Sequence, residues 1–305
     1  TAWTLATQPL GGPDEVSHVG YAQYLAETGK GPQRNSGNGT LSIGYINIAG
    51  ALNLQPTQGH QEARPFWSEI GRVGPEADAT PRDTGSGPNP AANYPPLYYS
   101  AAAVAYHVSP ARSLLGRLWA MRMVSVLAFV AVVWLTWLIA RELFRERWQQ
   151  TLVTAFVALQ PKLGMMAGVV NPDLFLTLMA VAALLVAIRI ARDGPTSRRA
   201  LVLGLVTAGG MLCHTRGLFL VLFAGAALLI GWLRFRSSLR EVATTSLLTG
   251  LPAAAGGAAM ILWGRAHAGT ALGEGSPVAG FGLRQFLTHV WQFYLPRLDS
   301  MAPRI

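Results

Sequence analysis

The eight residues GGPDEVSH, from Gly11 to His18, set two adjacent carboxylates and a histidine in a chain that is otherwise mostly apolar. A helix beginning at Pro13, which suits the first helical position, puts Asp14 and His18 one turn apart on the same face. Glu15 stands beside them, and both acids fall in the first turn, where the helix dipole favours negative charge. Charge beside hydrocarbon is costly and usually marks function. Two chemistries are open to this cluster. Asp14, Glu15 and His18 can hold a divalent cation such as Mg or Mn, or one carboxylate can serve as a general base, with Asp14 the better placed because it shares a face with His18. The plain alternative is an acidic first turn on a surface helix.

Further candidates lie downstream. Asp173, in Asn171-Pro172-Asp173, is a second candidate catalytic carboxylate, although Asn-Pro-Asp also makes an ordinary tight turn. Lys162 sits in an apolar run roughly 13 Å below Asn171 at the helical rise, next to a kink expected at Pro161. Arg122 enters an apolar stretch about a turn and a half deep, and His214 and Arg216 cap another. Together Arg122, Lys162, His214 and Arg216 are expected to ring one cavity and hold a phosphate, which the planar donor fork of arginine suits. Tyr98 joins this substrate-binding set. Taken singly, each cation reads equally well as an interfacial anchor. The sequence has no Gly-rich phosphate loop, CxxC, HExxH or GxSxG.

The elements that must position these residues are membrane helices. Hydrophobic residues make up 51% of the chain, charged residues 13%, and mean hydropathy is +0.31, outside the range of ordinary soluble domains. The net charge of +9 is carried mainly by arginines in short loops between apolar runs, which indicates topology and not nucleic acid. The single cysteine, Cys213, excludes an intrachain disulfide. The chain opens on Thr1 with no leader, so a further anchor is expected upstream.

Residues 1–115 are polar and read as a large outer loop. Within it two juxtamembrane helices are expected, Asp14 to Thr28 closed by Gly29 and Leu97 to Val108 with tyrosines at 98, 99 and 106. Between them Gly31 to Asn93 reads as a long loop with a short strand at Leu41 to Ile48. Residues 116–263 read as a bundle of about six spans: Leu118–Leu138, Leu152–Val170, Leu174–Ile190, Ala200–Cys213, Leu218–Leu233 and Ala243–Trp263. Residues 264–305 form an outer tail, with the chain expected to continue beyond it. Arginines concentrate in the loops at 141–150, 191–199 and 234–241, so these face the cytoplasm. The first 115 residues, Asn171–Asp173 and His214–Gly217 then share the opposite side.

Several stretches resemble the GT-C superfamily of polytopic glycosyltransferases. They are PDEVSH at 13–18, YPPLYY at 94–99, RMVSVLAFVAVVWLTWLIARELF at 122–144, VVNPDLFLTLMAVAAL at 169–184 and WQFYLPRL at 291–298. Within the superfamily the chain is most similar to the bacterial domain-of-unknown-function 2142 branch, near the protein mannosyltransferase and aminoarabinose-transferase groups. The resemblance implies an all-α GT-C-like bundle in the bacterial plasma membrane. Its expected activity is inverting transfer of a sugar from a polyprenyl-phosphate donor to a glycan, lipid or protein acceptor on the extracytoplasmic face. It also places the acceptor-activating acid at Asp14 or Glu15.

Two other classes compete with that reading. A transporter should carry internal repeats and broken helices in matching halves, and no repeat relates 118–190 to 200–263. A non-catalytic scaffold with an outer binding loop would leave Asp14 and Glu15 exposed and unpaired. The topology is testable by cysteine labelling. Substitutions at Asn38 or Gly85 should react from outside, and at Gln149 or Ser197 only after permeabilisation; outside labelling at Gln149 would invert the arrangement.

Overall fold

The computed structural model describes residues 2–34, 42–52, 67–80 and 89–269. Among them every regular element is helical. The first half holds α1 (Ala2–Ala6), α2 (Glu15–Thr28), α3 (Ile43–Ala51), α4 (Trp67–Ala79), a 3-10 turn at Pro90–Asn93 and α5 (Leu97–Val108). Gly29 closes α2 at φ 66°, its N–H bonded to the Leu25 carbonyl, a conformation glycine adopts without penalty. The start of α2 differs from expectation. Pro13 lies outside the helix, and Asp14 precedes it in the left-handed region at φ 53°.

The strand expected at Leu41 to Ile48 is replaced by helix α3. Its buried residues Tyr45, Ile48 and Leu52 recur at helical spacing. With α4 it also structures part of the expected long loop. Residues 35–41, 53–66 and 81–88 of that loop, and residues 270–305 with the WQFYLPRL segment, lie outside the described residues.

The second half holds α6 (Leu114–Leu143), α7 (Arg147–Ala158), α8 (Pro161–Ala167), α9 (Asp173–Asp193) and α10 (Ser197–Cys213). A 3-10 turn at Thr215–Leu218 then leads into α11 (Phe219–Phe235), and α12 (Leu239–Ala268) follows. Among the described residues four stretches are long and apolar enough to cross a membrane: Leu114–Leu143, Asp173–Asp193, Thr215–Phe235 and Leu239–Ala268. Their outward faces carry exposed Leu127, Trp134, Leu222 and Leu262, as contact with lipid requires.

Two of the six expected spans differ. Leu152–Val170 is broken at Leu159–Gln160, because Pro161 opens a new helix at its first position. The fourth, Ala200–Cys213, falls in α10, which has 17 residues, about 25 Å at the helical rise, short of a typical hydrocarbon core. It packs against α9 and α12.

Contacts fix which ends lie together. Arg189 and Arg192 of α9 pair with Glu142 at the end of α6, so the arginine-bearing connections gather at one end. At the other end the aromatic core of Tyr21, Tyr98, Tyr99 and Tyr106 joins α2 and α5 to Leu118 and Met121 of α6. Trp263 of α12 reaches the same region, donating to the Ala92 carbonyl at 3.3 Å.

The strongest tie between the two halves is a buried ion pair. Arg122 of α6 meets Glu15 of α2 through Nε–H to Oε1 at 2.8 Å and Nη2–H to Oε2 at 2.7 Å. Its remaining N–H groups reach the carbonyls of Thr4 at 3.2 Å, Thr7 at 3.0 Å and Gln8 at 2.8 Å. All five guanidinium donors are thereby used. Glu15 in turn accepts from the Val170 amide at 3.0 Å and the Gly12 amide at 3.1 Å. Gly12 is required here, since a Cβ would sit 2.5 Å from the Val169 side chain. One pair therefore joins α1, α2, α6 and the segment leading into α9.

Removing one member of such a pair strands a buried charge, at a cost of about 3–5 kcal/mol. Arg122→Ala should lower unfolding stability in detergent by that amount, and adding Glu15→Gln should restore part of it. A loss below about 1 kcal/mol for Arg122→Ala would show that the pair does not hold the two halves.

Candidate functional site

The polar side chains that remain available gather around Tyr94, where the N-terminal region meets the bundle. Asp14 comes from the turn before α2, Asp173 from the first residue of α9, and His214 and Arg216 from the α10–α11 connection. Tyr94 follows the 3-10 turn and precedes Pro95–Pro96. Its ring packs against His18 at 5.7 Å and His214 at 4.6 Å between centroids. Asp173, then Arg216 and Asp14, act electrostatically on its hydroxyl, and His214 against its ring faces Asp173 at 3.6 Å.

The local backbone explains the aim of each group. In its left-handed conformation Asp14 makes no capping bond to the α2 amides, and its carboxylate is exposed. Such a backbone is uncommon outside glycine, though aspartate tolerates it best among the others. Asn171 caps α9 by accepting from the Asp173 amide at 2.8 Å, leaving the Asp173 carboxylate half-exposed. The α10–α11 connection folds back so tightly that a Cβ at Gly217 would lie 2.3 Å from the Gly210 backbone. That turn holds His214 over Asp173 and places Arg216 two residues on, its amide bonded to the His214 ring.

The two histidines are buried and neutral. His214 Nδ1 accepts the Arg216 amide at 2.9 Å, so its proton resides on Nε2, which faces Asp173 Oδ1 at 3.6 Å. Burial lowers the His214 pKa; Asp173 opposes the shift and Arg216 reinforces it. Burial, with a contribution from His214, draws His18 down to about 3. Its Nδ1 shares a hydrogen bond with the Tyr99 hydroxyl at 2.7 Å. The Tyr94 phenol is pushed up by burial, then by Asp173 and Asp14, with Arg216 opposing, so it stays protonated.

The residues singled out from sequence separate into two groups. Asp14, Asp173, His214 and Arg216 come together. Glu15 and Arg122 do not join them, because each occupies the other's hydrogen-bonding capacity inside the protein. Tyr98 is also internal: its hydroxyl pairs with Ser125 Oγ and accepts the Asn171 amide, both at 2.9 Å. Lys162 is exposed at the start of α8 and makes no hydrogen bond or ion pair with a described residue.

The expected ring of four cations thus reduces to His214 and Arg216. The expected metal set of Asp14, Glu15 and His18 disperses, since Glu15 turns to Arg122 and His18 to Tyr99. No group of three or more His, Cys, Asp or Glu among the described residues is arranged to hold a metal ion. Tyr94 was missed in sequence. Its signal was the following Pro-Pro, which keeps it outside the helix that buries Tyr98.

The neutral His18 has a consequence for stability. Its pKa is near 6.5 in the unfolded chain and about 3 in the fold, so below pH 6.5 the unfolded state binds the extra proton. Its stabilising effect is complete above pH 6.5 and falls by up to about 1.4 kcal/mol per pH unit on acidification toward pH 3. Thermal unfolding in detergent at pH 7, 6 and 5 should show a steeper loss for the native protein than for His18→Gln. Parallel curves would mean that the imidazole is protonated in the fold.

Comparison with curated proteins and with solved structures finds no match in either set. A family model does match, over residues 1–295, with the description "Predicted membrane protein (DUF2142)". With four apolar helices of spanning length among its described residues and a family match over nearly its whole length, the chain is a membrane protein and belongs to the DUF2142 family.

Proposed function

We propose that this protein is a membrane glycosyltransferase that moves a sugar from a polyprenyl-phosphate donor to an acceptor hydroxyl on the extracytoplasmic side. The observation that carries this reading is Asp173 facing His214 at 3.6 Å beside the Tyr94 ring, with Arg216 on the His214 turn and Asp14 exposed at the start of α2. Transfer with inversion needs a carboxylate to take the acceptor proton and a cation to meet the leaving phosphate. The acceptor O–H proton passes to Asp14 while the oxygen bonds to the anomeric carbon. The bond from that carbon to the phosphate oxygen breaks, and its electron pair leaves with the polyprenyl phosphate.

Asp14 suits the base because its carboxylate is exposed and has no hydrogen bond to a described residue. Asp173 faces His214 and suits acceptor positioning. Arg216 supplies the fixed positive charge. The resemblance of PDEVSH and VVNPDLF to GT-C enzymes supports the same reading, as does the placement of the group at the end of the bundle opposite the arginine-rich connections.

Asp14→Asn should lower turnover by about 10²- to 10⁴-fold, the usual weight of general-base catalysis, without loss of donor binding. Asp14→Gly should be equally inactive yet more stable by about 1 kcal/mol, because glycine relieves the left-handed backbone. The assay is sugar transfer from a panel of polyprenyl-phosphate sugars in proteoliposomes, alongside thermal unfolding. Near-native turnover in Asp14→Asn would remove Asp14 as the base.

A further inference from the structure

Tyr94 is the aromatic group at this site whose polar end is free. Three buried tyrosines nearby are engaged: Tyr21 donates to the Tyr94 carbonyl at 3.2 Å, Tyr98 is held by Ser125 and Asn171, and Tyr99 by His18. The Tyr94 hydroxyl makes no hydrogen bond to a described residue and is not sealed in the interior.

Its position is nevertheless fixed. The Tyr94 amide bonds the Ala91 carbonyl at 3.0 Å, its own carbonyl receives Tyr21, and Pro95–Pro96 stiffen the chain beyond. The ring packs against two neutral imidazoles, His18 and His214. A rigid, unpartnered O–H among charged groups has little entropy to lose on binding a ligand.

We propose that the Tyr94 hydroxyl donates a hydrogen bond to a phosphate oxygen of the donor lipid, beside the Arg216 guanidinium. This rests on the glycosyltransferase reading above and adds a phosphate-recognising residue to it. The assignment follows from donor and acceptor inventory. Asp14 and Asp173 accept, so they match the acceptor substrate's O–H groups. Arg216 only donates, and the phenol, whose ring packs 4.6 Å from the His214 ring that takes the Arg216 amide, adds a second donor beside that turn. A phosphate diester or monoester presents acceptor oxygens and matches that pair. The phenol also offers a hydrogen bond without a second full charge, so the product phosphate is not trapped.

The test is equilibrium binding to the purified full chain in nanodiscs, with undecaprenyl monophosphate, undecaprenol and phosphatidylglycerol as probes. Tyr94→Phe keeps the ring against the imidazoles and removes only the hydroxyl. A hydrogen bond to a charged partner corresponds to roughly a tenfold to hundredfold preference. The monophosphate-over-alcohol preference should fall by that factor in Tyr94→Phe, with undecaprenol affinity unchanged. An undiminished preference would overturn the proposal, and so would an equal loss for monophosphate and alcohol. An equal loss for phosphatidylglycerol would also overturn it, since the hydroxyl would then read any lipid phosphate. A native protein with no preference for the monophosphate would instead remove the glycosyltransferase reading itself.

Discussion

A guanidinium buried beside a membrane core is stable only if every donor finds an acceptor, and Arg122 meets that demand by assembling the N-terminal region around itself. It draws in the carbonyls at the end of α1 and the carboxylate that opens α2. The energetic weight of this arrangement lies less in net attraction than in what its loss would expose. Because the acceptors come from separate elements, satisfying the charge and folding the region are one event. Glu15 extends the same logic to the amide of Val170, three residues before Asp173, so the pair also sets where α9 begins.

That constraint explains why neighbouring residues have opposite fates. Asp14 and Glu15 are chemically alike, yet one is exposed and the other sealed in. The left-handed backbone at Asp14 reverses the chain between them, so the carboxylate that anchors the fold and the one left available point to different environments. The YPPLYY segment repeats the pattern. Tyr98 and Tyr99, inside α5, carry hydroxyls bonded within the protein, whereas Tyr94 is held outside by the two prolines and its hydroxyl makes no hydrogen bond to a described residue.

Much of this was legible in the sequence, and the remainder has a common cause. Apolar length marked Leu114–Leu143, Asp173–Asp193 and Leu239–Ala268, and glycine chemistry marked the end of α2. Linear spacing grouped Asp14, Glu15 and His18, but spacing presumes one continuous helix, and the turn at Asp14 breaks that assumption. The ring of cations failed for a related reason. A positive charge in an apolar run signals the need for a partner without naming it, and Arg122 found Glu15 at a separation of 107 residues. Hydropathy likewise read Leu152–Val170 as continuous although Pro161 lacks the N–H that would carry the helix through.

The charge balance around Tyr94 has a bearing on the order of events at the proposed site. With His18 and His214 neutral, the fixed charges are two carboxylates against one guanidinium. An incoming phosphate therefore meets a surround that stays net negative with Arg216 counted, to which the phenol adds a hydrogen bond and no charge. Proton transfer to Asp14 changes that balance. As the acceptor gives up its proton, one negative charge disappears near the place where the leaving phosphate gains one. On the proposed reading, the transition state then suits the site better than the bound reactants do, which is the condition for rate enhancement. Restoring the Asp14 carboxylate afterwards raises the local negative charge again and favours departure of the polyprenyl phosphate.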